Sequence, residues 1–180
     1  MEIASRLGPP EREAVLASIR RTYERLWAPR YAAWERMSLL ERVQLTVEGM
    51  RAHFSGQGRR GDALITEDEE RYTISFDPCG SGGVLRRGDP GSGQPPVDPE
   101  GVNREPHGWT WGKTGVHWYC AHCCIAMEFL PAERTGYVFR PLDHDLNHDA
   151  PCIWHIYKGA KAARAEHYRR IGKPAPPEAQ

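Results

Sequence analysis

The sequence predicts an α+β fold: N-terminal helices, then a mostly antiparallel sheet of four or five strands, then a C-terminal helix. Three observations lead there. Apolar residues recur at helical spacing through the first third of the chain. From about residue 72 the apolar period drops to two, the mark of half-buried strands. Helices come first and strands after, without the regular alternation of a parallel α/β sheet. With 180 residues the chain is long enough for a core of ordinary size without staples. The expected division is a helical segment over residues 1–57 packed on the domain, a metal- and ligand-binding α/β region over 58–172, and a flexible tail over 173–180.

In the first helix, over residues 10–27, Val15, Leu16, Ile19, Tyr23, Leu26 and Trp27 form the apolar face, and Pro9, Pro10, Glu11 and Glu13 make its start. "APRYAAWERM" is a short helix or bend. The next helix opens on a capping box, Ser38 with Glu41, and carries Leu39, Leu40, Val43, Val47, Met50 and Phe54 in one stripe. "SGQGRRGDA" is a break. In "ERYTISFDP", Tyr72, Ile74 and Phe76 alternate with polar residues as in a strand. "CGSGG" then reads as a turn, and "VLRR" as the opening of a second strand. Residues 86–108, rich in Gly and Pro, have no periodicity and read as a lid, a binding loop or a disordered insertion. "GVHWYCAHC" alternates enough for a strand, "AMEFLPAERTG" for a short helix or turn, and "YVFRPLD" for another strand. In "CIWHIYK", Cys152, Trp154 and Ile156 share one face of a strand, with Ile153, His155 and Tyr157 on the other. "GAKAARAEHYRRIG" is a basic helix.

Composition narrows the function. The 24 basic residues balance 24 acidic ones, so no charge excess points to a nucleic acid or an anionic membrane. Lys158, Lys161, Arg164, Arg169 and Arg170 near the C-terminus therefore read as a solvated face. No stretch reaches the roughly 20 apolar residues of a membrane span, and "MEIASRLGPPEREAV" lacks the apolar core of a signal peptide. The expected location is cytoplasmic, with a small molecule as ligand or substrate and a homodimer allowed. In that reducing setting, five clustered cysteines suit a metal or catalysis better than disulfides.

"HWYCAHCC" carries the chemistry. Thiolates are the soft ligands that zinc and iron–sulfur clusters prefer. Cys120 and Cys123 have the C-x2-C spacing of a metal clip, and Cys79 and Cys152, each beside a proline at a strand end, supply the other pair. Zinc is the first metal and an iron–sulfur cluster the alternative, because cluster motifs space their cysteines more closely. The competing account makes Cys79 and Cys152 small buried hydrophobes. Cys124 is the spare thiol beside the clip and His122 the candidate base, which makes these two the catalytic candidates. A vicinal Cys123–Cys124 disulfide is strained, which places a redox role last. His144, Asp145, His148 and Asp149 read as a polar loop ahead of a metal site. Trp109, Trp111 and Trp118 are candidates to line a pocket, with Arg86 to bind an anion; core packing and surface solvation are their competing fates.

"PLDHDLNHDAPCIWHIYK" resembles the close of vinyl-reductase-type ligand-binding domains and of proteins related to L-2-amino-thiazoline-4-carboxylate hydrolase, and "YCAHCC" is similar to their mid-domain cysteines. The resemblance spans about residues 65–158. It implies an α/β small-molecule domain, often with a cysteine-bound zinc, and carries over Cys120, Cys123 and Cys152. "PCGSGG" and the long Pro/Gly loop depart from that pattern. Together these readings predict a metal-dependent enzyme of hydrolase or lyase type acting on a small molecule. The alternatives are a binding or sensor module with structural zinc, and an iron–sulfur or redox-thiol protein.

Overall fold

The computed structural model describes residues 9–26, 28–54, 61–77, 79–159 and 163–179. Trp27, Lys161, the side chains of Val15, Leu16 and Phe54, and the expected boundary at 57/58 lie outside them. The fold is α+β, with the helices first and a helix at the C-terminal end, as the sequence predicts.

Three helices open it: α1 (Pro9–Leu26), α2 (Ala28–Arg36) and α3 (Leu39–Arg51). The capping box at α3 is formed, with Ser38 Oγ accepting from the Glu41 amide and the Glu41 carboxylate accepting from the Ser38 amide at 2.7 Å. Val43 is buried and Val47 and Met50 pack beside it, while Leu40 turns outward. Trp34 and Val43 share one apolar cluster with Ile74, Phe76, Trp154 and Ile156, so α2 and α3 lie on the sheet.

That sheet has four antiparallel strands in the order β1 (Asp62–Glu67), β2 (Arg71–Asp77), β4 (Cys152–Tyr157), β3 (Leu142–Asp143). β2 and β4 are the strands the sequence marks most clearly, and Phe76 sits opposite Cys152 in their register. The hairpin partner of β2 is not "VLRR" but the preceding strand β1. β1 hides from the period-two test because it is an edge strand with Leu64 and Ile65 exposed. "VLRR" belongs instead to helix α4 (Gly82–Arg87): the turn after Cys79 bonds the Val84 amide to the Cys79 carbonyl and the Leu85 amide to that of Ser81, which starts a helical ladder.

"HWYCAHC" is likewise helical and not a strand. His117 caps α5 (Trp118–Cys124), its Nδ1 accepting from the Tyr119 amide, and only an isolated bridge from Val102 to His117 remains of the expected pairing. The helix runs on through a π turn (Ile125–Phe129) into α6 (Leu130–Thr135). "YVFRPLD" contributes two strand residues, since Pro141 has no amide to offer a ladder. Of the C-terminal basic segment, Ala165–Arg170 forms helix α7.

The stretch 86–108 is packed. The Val97 amide bonds the Leu85 carbonyl, and Asp89 and Gln94 form a small bridge. Buried Asn103 closes the far end: its amide donates to the carbonyls of Glu105 and Lys113 and its oxygen accepts from the Val116 amide. No helix among the described residues is long and apolar enough to cross a membrane.

Candidate functional site

Three segments bring four thiols toward one place. Cys79 lies in the turn that leaves β2, Cys120 and Cys123 lie one turn apart on α5, and Cys152 begins β4 beside the end of β2. The Cys152 thiol hydrogen-bonds Cys79, the strongest influence on either group. That bond, with donors from Ser81 Oγ at 3.5 Å and the backbone of Ser81 and Gly83, takes the Cys79 thiol down to about 4. The proton therefore stays on Cys152, whose pKa rises.

Burial pushes Cys120 up to about 12 and raises Cys123, and each sulfur feels the charge of Cys79. Cys152 in turn feels Cys79, Cys123 and Cys120, so the four sulfurs lie within electrostatic reach of one another. The glycines of "CGSGG" permit the approach. A β-carbon on Gly82 would stand 2.7 Å from Cys120 Sγ, and one on Gly83 would stand 2.9 Å from Cys79 Cβ. As the side chains stand, no group of three or more His, Cys, Asp or Glu among the described residues is arranged to hold a metal ion.

No family model matches the chain, and neither a curated protein nor a solved structure matches it. What the site can do is accordingly read from its own geometry.

The two catalytic candidates of the sequence part company. Successive helical residues point about 100° apart, and Cys124 faces away from the thiol group. It is fully buried, its Sγ donates to the Gly108 carbonyl at 3.5 Å, and burial beside Glu128 pushes its pKa well up. His122 stays with the thiols. Its Nδ1 meets the Tyr119 carbonyl at 2.5 Å, and because a carbonyl only accepts, Nδ1 carries the proton. Nε2 is then the acceptor nitrogen, 3.5 Å from Cys123 Sγ, and burial holds the ring pKa down.

A cavity of about 410 Å³ opens against Cys123 and His122. Its walls are mostly apolar, with Ile19, Met50, Met127 and Trp154 among them, and Ser81, Thr46 and Arg140 give it polar points. This volume is within the range of small-molecule pockets.

The expected substrate residues do not line it. Trp111 is buried, donates its Nε1 proton to Glu128 at 2.7 Å and stacks on His144. Trp109 stacks between His107 and Trp118, at 4.6 and 5.8 Å. Arg86 is buried and donates to the Asp145 carbonyl at 2.9 Å. Their ring faces and the bonded nitrogen of Arg86 are used inside the fold, while Arg86 Nε and Trp118 Nε1 have no hydrogen-bond partner among the described residues. In the "LDHDLNHDAP" loop His144 is buried, while Asp145, His148 and Asp149 are exposed.

Two features escape the sequence reading. One is Arg140 on the cavity wall, where burial lowers its pKa to about 10. The signal is a cation inside the otherwise apolar run "YVFRPL". The other is Glu128, fully buried in the π turn. It accepts from Trp111 Nε1, from the Leu142 amide at 2.8 Å and from Arg170 at 2.8–3.2 Å. Burial raises the Glu128 pKa while Arg170 opposes, and donor-only partners suit the carboxylate form. Arg170 also reaches Asp143 at 3.3 Å, and Asp143 meets His155 Nε2 at 2.7 Å. This chain of charges locks α7 to the sheet and the π turn.

Proposed function

We propose that the protein is a zinc-dependent enzyme of hydrolase or lyase type, acting on a small molecule held in the cavity beside Cys123. The observation that carries it is the gathering of Cys79, Cys120, Cys123 and Cys152 from three chain segments, with Cys123 on the wall of a mostly apolar pocket. Their chemistry fits the ion: four thiols, two of them a C-x2-C clip, form the soft donor set of zinc. So does the cradle, since Gly82 leaves the Cys120 sulfur the space a β-carbon would fill. Rotation of the thiols about their Cα–Cβ bonds is required for them to converge on one ion. Held by three of these thiolates with the fourth position open, zinc would supply a Lewis acid and a water of near-neutral pKa.

The chain's own residues do the rest. Apolar walls keep bulk water from the substrate, and the Nε2 lone pair of His122 is placed to take a proton beside the Cys123 wall. Resemblance to the small-molecule domains noted above agrees with this reading. A binding module with structural zinc is the second reading, favoured by the count of four thiols, which fills a tetrahedral site.

Metal content tests the proposal first. Protein purified anaerobically without added metal is expected to carry about one colourless zinc per chain, lost when Cys79 and Cys152 are both changed to Ser. Brown protein containing iron and sulfide moves the site to a cluster, and protein free of metal removes the ligand assignment. His122→Ala then separates enzyme from module: the enzyme keeps its zinc and loses turnover.

A further inference from the structure

Arg140 is a cation in an apolar place. Its guanidinium donates to Thr46 Oγ1 at 3.2 Å and lies against Met127 Sδ at 2.7 Å. It stands over the Trp34 ring, 4.8 Å from the centroid, and 5.9 Å from that of Trp154. All four partners are neutral, and Thr46 spends its own proton on the Arg42 carbonyl. No carboxylate among the described residues pairs with Arg140.

A second apolar cavity, of about 450 Å³, shares Arg140, Tyr23 and Met127 with the first. Neither is lined by an aspartate or glutamate among the described residues. Burying an ion without a counter-ion is costly, and buried charges are as a rule paired. Of the other internal arginines, Arg170 obeys this with Glu128 and Asp143, and Arg86 donates to the Asp145 carbonyl at 2.9 Å. Arg140 differs from both in having neither a carboxylate nor a backbone carbonyl as partner among the described residues and in lining two cavities, and its guanidinium is the planar fork that matches a carboxylate.

We infer that Arg140 is the anion anchor of the pocket, and that the occupant is a small molecule with an apolar, flat body ending in a carboxylate. The carboxylate pairs with Arg140 where the two cavities meet, and the body lies against Trp154 and Met127 with its reacting part toward Cys123 and His122, which line the first cavity only. This rests on the proposed function only in taking the cavity as the substrate site, and it does not require the metal.

Calorimetric titration tests it with benzoate, 3-phenylpropionate and indole-3-propionate, each against its own primary amide, which has the same shape without the charge. At least one acid is expected to bind about tenfold or more tighter than its amide, the worth of a charge-assisted bidentate pair. Arg140→Met should abolish that preference, and Arg140→Lys should keep part of it. Equal binding of every acid and its amide, or no binding by any acid, overturns the inference. So does an acid preference that survives Arg140→Met, because the anion is then held elsewhere, as on a metal. Should Arg140→Met fail to fold, Arg140→Lys decides: undiminished acid affinity overturns the anchor. Zinc content, measured on the same preparations, settles the metal reading independently of these outcomes.

Discussion

Gly82 shows how much one missing methyl decides. Its place at the start of α4, against Cys120 Sγ, leaves no room for a side chain. Gly82→Ala requires the Cys120 sulfur to turn aside or α4 and α5 to move apart. The expected cost is about 1–3 kcal/mol, the usual penalty of overpacking, read as a lower urea midpoint, and zinc content should fall with it because Cys120 is displaced. An alanine variant as stable and as metal-rich as the parent would mean the two helices are not held this close. The same contact explains what residue types alone reveal. "CGSGG" and C-x2-C announce thiols near a tight turn, but the reason for glycine, an approaching sulfur from 38 residues downstream, is not a local property. Arg140 is hidden in the same way: nothing in "YVFRPL" says that its counter-charge is absent.

Among the elements, the π turn Ile125–Phe129 has the greatest leverage. It delivers Glu128 to Arg170 of α7, to Trp111 and to the first strand residue of β3 in one step. Glu128→Gln leaves Arg170 with a buried neutral partner, and about 3–5 kcal/mol of stability should be lost, the range for breaking a buried pair from one side. Equilibrium denaturation checks this, and a loss below 1 kcal/mol would show that α7 docks by its apolar contacts alone. The elements also mark where sequence patterns stop being informative. β2 and β4 are legible because both faces of the alternation meet different surroundings, and the Ser38–Glu41 box because capping is local. "HWYCAHC" misleads because Trp, Tyr and Cys favour strands by type, while His117 caps a helix there. β1 is silent since an exposed edge needs no alternation.

For the whole molecule, acid is the natural stress. His144 and His167 are both buried, and burial lowers each to about 3. His167 Nε2 and the Tyr157 hydroxyl share a hydrogen bond of 2.8 Å. Between the ordinary histidine value and pH 3 the unfolded chain holds protons that the folded chain refuses, so stability falls as pH falls through that window. Each histidine adds a slope of about 1.4 kcal/mol per pH unit once the solution is well below pH 6.5. Asp143, held below the usual carboxylate range by His155 and Arg170, adds its loss at still lower pH. Urea midpoints from pH 7 to 4.5 should decline steadily, and the double variant His144→Gln, His167→Gln should flatten the curve. A parent midpoint independent of pH would show that neither ring is shut away from protons.

The pairing of β2 with β4 has a consequence for the chain as a string. Everything from residue 79 to 151, including α4, the packed loop, α5, the π turn, α6 and β3, leaves one central strand and returns to the other. Cys79 and Cys152 stand at the two ends of that excursion, sulfur to sulfur. Tying them together, through a shared proton or a shared ion, fastens a purse at its neck. The cord sits in the middle of the sheet, so the contents cannot be shaken out by fraying at either end of the protein. The neck lies beside the last β2–β4 pair, Phe76 with Cys152, which couples the opening of the thiol site to the parting of the two central strands.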